Sequence, residues 1–130
     1  MIYYIIMQRK YNLDLQTDRK TREKKFHNNI FETGAHDKLT VFYSINESIY
    51  KDFMELLSKY TAKRALEIGC GLGNYAIQMA LKGVNVSAID ISNYAIKQAQ
   101  AIANTKNLKI DFSIMDAENL AFKSNEFDLV

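Results

Sequence analysis

Six residues in the second half of the chain have types and spacings that could hold a ligand: Glu67, Gly69, Gly71, Gly73, Asp90 and Asp116. The glycines take alternate positions in "ALEIGCGLGNYA", where an apolar run gives way to a helical pattern. A parallel strand that turns straight into a helix leaves the helix's first N–H groups unpaired. Those groups and the helix dipole make a polar cradle at the strand's C-terminal end. Side chains would keep a ligand out of it, so glycine lets the backbone approach closely. One glycine would serve a tight turn; three in five residues point to a ligand.

The dinucleotide fingerprint is G-x-G-x-x-G/A. Here the spacing is G-x-G-x-G, and Asn74 stands where the final small residue would be. Glu67 would also oppose a doubly anionic pyrophosphate; an acid there suits a ligand with an ammonium group. Asp90 lies 21 residues after Gly69, at the end of the second predicted strand. A carboxylate there can accept both hydroxyls of a ribose, or serve only as a helix N-terminal acid before Ser92. Asp116, past the third predicted strand, could accept from the exocyclic amine of adenine or be an ordinary loop acid.

The elements that must position these residues are legible in outline. "KRALEIG" predicts a short buried strand, and "NYAIQMALK" a helix ending at Gly83, a C′ glycine. "VNVSAID" is a strand with Val84, Val86 and Ala88 on one side. Ser92 caps a helix to about Asn104, with Ala95, Ile96, Ala99 and Ile102 on its apolar face. "LKIDFSI" alternates strictly, with Leu108, Ile110, Phe112 and Ile114 facing one way, and "FDLV" begins a fourth strand. The intervening "MDAENLAFKSNE" is short for a full crossover helix. The pattern predicts an α/β fold with a doubly wound, mostly parallel sheet and helices on both faces.

Upstream, the pattern predicts a helix from about Thr21 to Asn29, with Phe26 and Ile30 on one face, broken at Gly34. Ser44 and Glu47 resemble a capping box. Ile49, Phe53, Leu56, Leu57 and Tyr60 then predict a helix near 46–60. Residues 8–25 are polar and basic, which suggests a solvated leader. The expected organisation is a leader over 1–25, N-terminal cap helices over 26–62, and a ligand-binding half over 63–130.

Composition bounds the function. At 130 residues, 48% hydrophobic and 25% charged, the chain fits one globular domain. A net charge of +2 gives no ground for a nucleic-acid partner. Cys70 stands alone, so no internal disulfide forms, which fits a reducing, cytoplasmic compartment. No run is long enough for a membrane span. "MIYYIIM" is too short for a signal sequence and has no basic residue before it, so a frayed start, with Met7 as an alternative initiator, is expected.

Taken together, "LEIGCGLGN", "AIDIS" and "MDAENLAFKSNEFDLV" resemble the first three motifs of class I S-adenosylmethionine-dependent methyltransferases, in the style of the small-molecule type 11 group. Ala121 replaces the proline common in that group's third motif. The resemblance covers residues 64–130; "EKKFHNNIF" and "FYSINES" resemble the group's cap helices more loosely. It implies a Rossmann-like sheet of order 3-2-1-4-5-7-6 and S-adenosyl-L-methionine as cofactor. Glu67 would hold the amino end of the methionine moiety. Gly69 and Gly71 would bring backbone against the cofactor, and Gly73 would start the helix. Asp90 would bind the ribose hydroxyls, Ile91 would pack on the adenine, and Asp116 with the backbone of Ala117 would bind the adenine edge.

The implied chemistry is in-line methyl transfer to a small-molecule acceptor, needing no metal and no thiol nucleophile. His27, His36, Tyr43 and Tyr50 lie where they could cover the site, but packing roles suit them better, and no catalytic residue is assigned. The chain stops at Val130, inside the expected fourth strand. It is therefore expected to be the N-terminal portion of a longer enzyme, with an exposed apolar edge and doubtful activity alone. The competing readings are an NAD(P)-dependent oxidoreductase fragment, disfavoured by Asn74 and Glu67, and a non-catalytic nucleoside-binding remnant.

Overall fold

The computed structural model describes residues 18–35, 40–59 and 62–130. "MIYYIIM", most of the basic leader, His36 and Tyr60 lie outside the described residues.

Helix α1 spans Arg19–Glu32. Asp18 starts it: its carboxylate accepts the N–H groups of Lys20 at 2.9 Å and Thr21 at 3.1 Å, which is N-capping. Arg19 and Glu23 then pair across one turn at 3.2 Å. Residues 19–25, counted in the expected leader, lie in this helix, whose pattern was expected from about Thr21. Gly34, at φ 63°, follows its end.

Helix α2 spans Thr40–Lys59. Ser44 therefore lies inside the helix, and the Ser44–Glu47 pair is not a capping box at its start. Nothing between Thr40 and Lys59 is glycine or proline, and an internal serine costs only tenths of a kcal/mol, about 0.5. Its buried stripe is narrower than expected. Phe53 and Leu57 pack against the core, whereas Ile49 and Leu56 are more than half exposed at 52% and 53%.

Three strands follow in alternation with two helices. They are β1 (Arg64–Ile68), α3 (Asn74–Leu81), β2 (Asn85–Asp90), α4 (Asn93–Thr105) and β3 (Asp111–Ile114). The sheet order is β1-β2-β3, all parallel. Ser92 caps α4 through a bond from the Ala95 N–H at 3.1 Å. Gly83 lies just past the C-cap of α3 at φ 84°. Ala76, Ile77 and Met79 of α3 and Ile96 and Ala103 of α4 join Val86 and Ala88 in one core cluster. Right-handed crossovers in one direction place α3 and α4 on the same face of these three strands.

β3 begins at Asp111, three residues later than the alternation predicts. Among the described residues it pairs with β2 alone, and the register opens at Ser87–Asp111. Ile110 is buried without being in the strand, and Ile114 is 52% exposed because it lies at the open strand end. The expected fourth strand is one parallel bridge, Ala65 with Leu129, on the opposite side of β1 from β2. The Leu66 N–H donates to the Leu129 carbonyl at 2.9 Å. The Asp128 carboxylate accepts from the backbone N–H groups of Lys63 and Arg64, each at 2.8 Å. The winding thus reverses at β1, which makes the end of β1 a topological switch point, where open α/β sheets bind ligands.

Candidate functional site

The β1–α3 turn is folded around Ile89. The N–H groups of Gly69 and Cys70 both donate to the Ile89 carbonyl, at 2.8 and 2.9 Å. Gly69, Gly71 and Gly73 all have positive φ, at 72°, 52° and 77°. Gly73 is the N-cap of α3 and offers no capping side chain. A Cβ on Gly73 would stand 3.1 Å from the Phe112 ring and 3.2 Å from Ala99. Hence its left-handed turn also needs the absence of a side chain for α3 and α4 to close on β3.

The two inner acids fix this turn. Asp90 is buried at 8% exposure. Its Oδ2 accepts the Gly71 N–H and its Oδ1 the Ser92 N–H, both at 2.8 Å, so it ties the glycine turn to the start of α4. Glu67 accepts the Ala76 N–H in the first turn of α3 at 2.7 Å. Burial pushes the Glu67 carboxyl up to about 7, against the Ala76 hydrogen bond, and the Asp90 carboxylate adds to the rise. Burial also pushes the Cys70 thiol up, reinforced by Glu67 and Asp90. A thiol held protonated in this way is not a nucleophile.

A carboxyl whose pKa is higher in the folded than in the unfolded chain stabilises the fold fully below the unfolded value. That contribution is lost as pH rises through the folded value. For Glu67 the window runs from about 4.5 to about 7. Over it, folding stability falls by on the order of 3 kcal/mol. Chemical denaturation of wild type and Glu67→Gln between pH 4.5 and 8 checks this. The variant should gain on wild type as pH rises, and parallel curves would refute it.

The structure places the outer site residues on the loops that follow. Ile91 is half-buried between Asp90 and Ser92, and Ala117 is exposed. Asp116 has both oxygens engaged: Oδ1 accepts the Glu118 N–H at 2.9 Å, and Oδ2 pairs with Lys20 of α1. Lys20 beside it holds the Asp116 carboxyl below the usual range. Arg19 pairs with Glu118 at 2.6 Å.

Helix α1 continues across the strand ends. The Ser92 hydroxyl donates to Asn28 Oδ1 at 2.6 Å, and Asn28 Nδ2 donates to Asn93 Oδ1 at 2.8 Å. Phe31 lies 3.1 Å from where a Gly71 Cβ would be. Lys20, Asn28 and Phe31 are the site neighbours that sequence reasoning missed; the resemblance of "EKKFHNNIF" to a cap helix was a signal of Asn28 and Phe31, and nothing pointed to Lys20. His27 is exposed and packs edge-on to Phe26 at 5.4 Å. Tyr50 lies 5.7 Å from Tyr75. The side chain of Tyr43 and all of His36 lie outside the described residues. Among the described residues no three His, Cys, Asp or Glu side chains gather as a metal site, and no helix is long and apolar enough to cross a membrane.

A switch-point turn of three left-handed glycines, flanked by the half-buried Glu67 and the buried Asp90, belongs to a Rossmann-like domain. Residues 65–130 match the family described as "Methyltransferase domain", and the chain belongs to that family. It is 39% identical over 71 residues to the norajmaline N-methyltransferase of Rauvolfia serpentina, covering 52% of this chain and 24% of that one. It is 32% identical over 96 residues to a ubiquinone biosynthesis O-methyltransferase of Chromobacterium violaceum, covering 70% and 41%. A solved structure of a Methanosarcina mazei protein, described as a SAM-dependent methyltransferase, superposes with a TM-score of 0.52. It has 32% identity and covers 56% of this chain and 38% of that one. The chain spans about a quarter to two fifths of the length of such curated relatives.

Proposed function

We propose that the chain binds S-adenosyl-L-methionine at the β1–α3 turn and serves methyl transfer to a small-molecule acceptor. The observation that carries this reading is the left-handed Gly69–Gly73 turn held against the Asp90 carboxylate at the switch point. The residues fit the cofactor. A Cβ at Gly69 would enter open space at the strand end, leaving room for a ligand against the backbone. The acids suit a ligand that carries an ammonium group and a ribose.

In this reading Glu67 faces the ammonium of the methionine moiety, and its burial strengthens that attraction once it ionises. Gly69 and Gly71 bring backbone to the cofactor, and Gly73 starts α3. Asp90 accepts the ribose hydroxyls while holding the turn. Ile91 packs on the adenine, and Asp116 and the Ala117 backbone meet its edge. The cofactor, when bound, supplies an activated methyl group; the chain supplies proximity and alignment. A free Cys70 thiol suits the cytoplasm, where it stays reduced.

A thermal melt of the 130-residue chain with S-adenosylhomocysteine, and with NADH as control, tests the reading. A ligand at 100 times its Kd stabilises the fold by about 2.7 kcal/mol. S-adenosylhomocysteine should raise the Tm by several degrees and NADH should not. The reverse ranking would favour an oxidoreductase fragment, with Asn74 tolerated in the fingerprint.

A further inference from the structure

We propose that α1 is an ion-pair latch across the cofactor site, which the cofactor must displace from Asp116 and Gly71 in order to bind. The inference rests on the assignment of that site to S-adenosyl-L-methionine.

Three contacts lay α1 over three successive strand ends. Its first turn reaches the loop after β3 through Lys20–Asp116 and Arg19–Glu118. Its middle reaches the loop after β2 through Asn28 and Ser92. Its last turn brings Phe31 over Gly71, in the turn after β1. Lys20 and Phe31 are eleven residues apart. That is close to three full turns, so they share a face, and about 16 Å of helix separates them. Three adjacent strands span about 10 Å, so one straight helix covers all three ends.

The cofactor and α1 claim the same groups. Both Asp116 oxygens are already engaged, one by the Glu118 N–H and one by Lys20. An adenine amine approaching Oδ2 would compete with the Lys20 ammonium for its lone pairs. The Phe31 ring fills the space above Gly71 into which a Cβ would project, and a ligand lying against that backbone needs the same space. The ion pairs are surface pairs, with Lys20 48% exposed and Arg19 53% exposed. Pairs of this kind are weak and salt-screened, so they can hold α1 down and still yield to a ligand.

The latch predicts an unusual salt effect. S-adenosylhomocysteine carries no net charge, so its own binding has little dependence on ionic strength. Salt that loosens Lys20–Asp116 and Arg19–Glu118 should therefore tighten its binding. The experiment is calorimetric titration of the full chain with S-adenosylhomocysteine at 0.05 and 0.5 M NaCl. Lys20→Met should lower the Kd roughly two- to fivefold at low salt, and the Arg19→Met/Lys20→Met pair about tenfold. Both should lose the salt effect seen in wild type. Glu118→Gln loosens the latch from the other side and should act in the same direction, which covers the case of a poorly folded Lys20 variant. Lys59→Met, which breaks an ion pair confined to α2, should match wild type. Weaker or unchanged binding in the Lys20 and Glu118 variants, with wild type binding normally, overturns the latch alone. Failure of every chain to bind overturns the site assignment and the latch with it.

Discussion

Gly73→Val should abolish the cooperative thermal transition of the chain or lower its midpoint far below that of wild type. Gly73 has φ 77°, where a β-branched residue is strongly strained. Its Cβ would also lie 3.1 Å from the Phe112 ring and 3.2 Å from Ala99. Neither neighbour is a flexible chain end: one is an aromatic ring on β3 and the other a methyl on α4. Strain of about 1–2 kcal/mol and overpacking of about 1–3 kcal/mol together approach half of a typical small domain's stability. Gly69→Ala is the internal control. Its φ is 72°, but a Cβ there meets nothing within 4 Å, so only the strain of about 1 kcal/mol remains. Differential scanning calorimetry of both variants decides the point. Equal losses would show that crowding at Gly73 is not what the fold depends on.

Asp90→Ala should weaken S-adenosylhomocysteine binding by about 1–3 kcal/mol, roughly fivefold to more than a hundredfold. It should also destabilise the unliganded chain. The carboxylate accepts from Gly71 N–H and Ser92 N–H at once, and hydrogen bonds to a charged group contribute about 1.5–3 kcal/mol each. Asp90→Asn separates the two effects. Its side-chain oxygen can keep one backbone bond, so stability is partly restored, while the charged acceptor for the ribose hydroxyls is gone. Calorimetric Kd values alongside urea denaturation check this. An Asp90→Ala chain with wild-type affinity would remove Asp90 from the cofactor site.

Local signals were the ones the sequence carried well. Ser92 before a helical pattern, Gly83 after one, and the apolar run before Gly69 each act within a few residues, and β1 through α4 follow from them. Asp18 also acts locally, but it is hidden in a run of charges, so the helix expected from about Thr21 begins earlier, at Arg19. Contacts that depend on distant segments were not legible. Lys20 meets Asp116 across 96 residues, and the face α1 turns to the strand ends has no distinctive periodicity. β3 starts only at Asp111, although β2 extends two residues before Ser87, where their pairing begins, and its own alternation does not encode that start. In the site, the spacing of Glu67, the glycines and Asp90 was legible because it is set by strand length and crossover length. Their longer-range backbone partners were not, since the Ala76 N–H meets Glu67 only once α3 is placed and the Gly71 N–H meets Asp90 only once the glycine turn folds against β2.

The central claim, that the Gly69–Gly73 turn holds the methyl donor, is tested most directly by backbone amide NMR of the chain titrated with S-adenosylhomocysteine. The account predicts the largest shifts at Gly69, Cys70, Gly71, Ile91 and Ala117, with α1 amides near Lys20 and Phe31 moving as the helix lifts. Shifts gathered instead around the groove of Asn85, Gln100, Asn104 and Lys109 at the opposite strand edge, with the glycine turn unmoved, would contradict it.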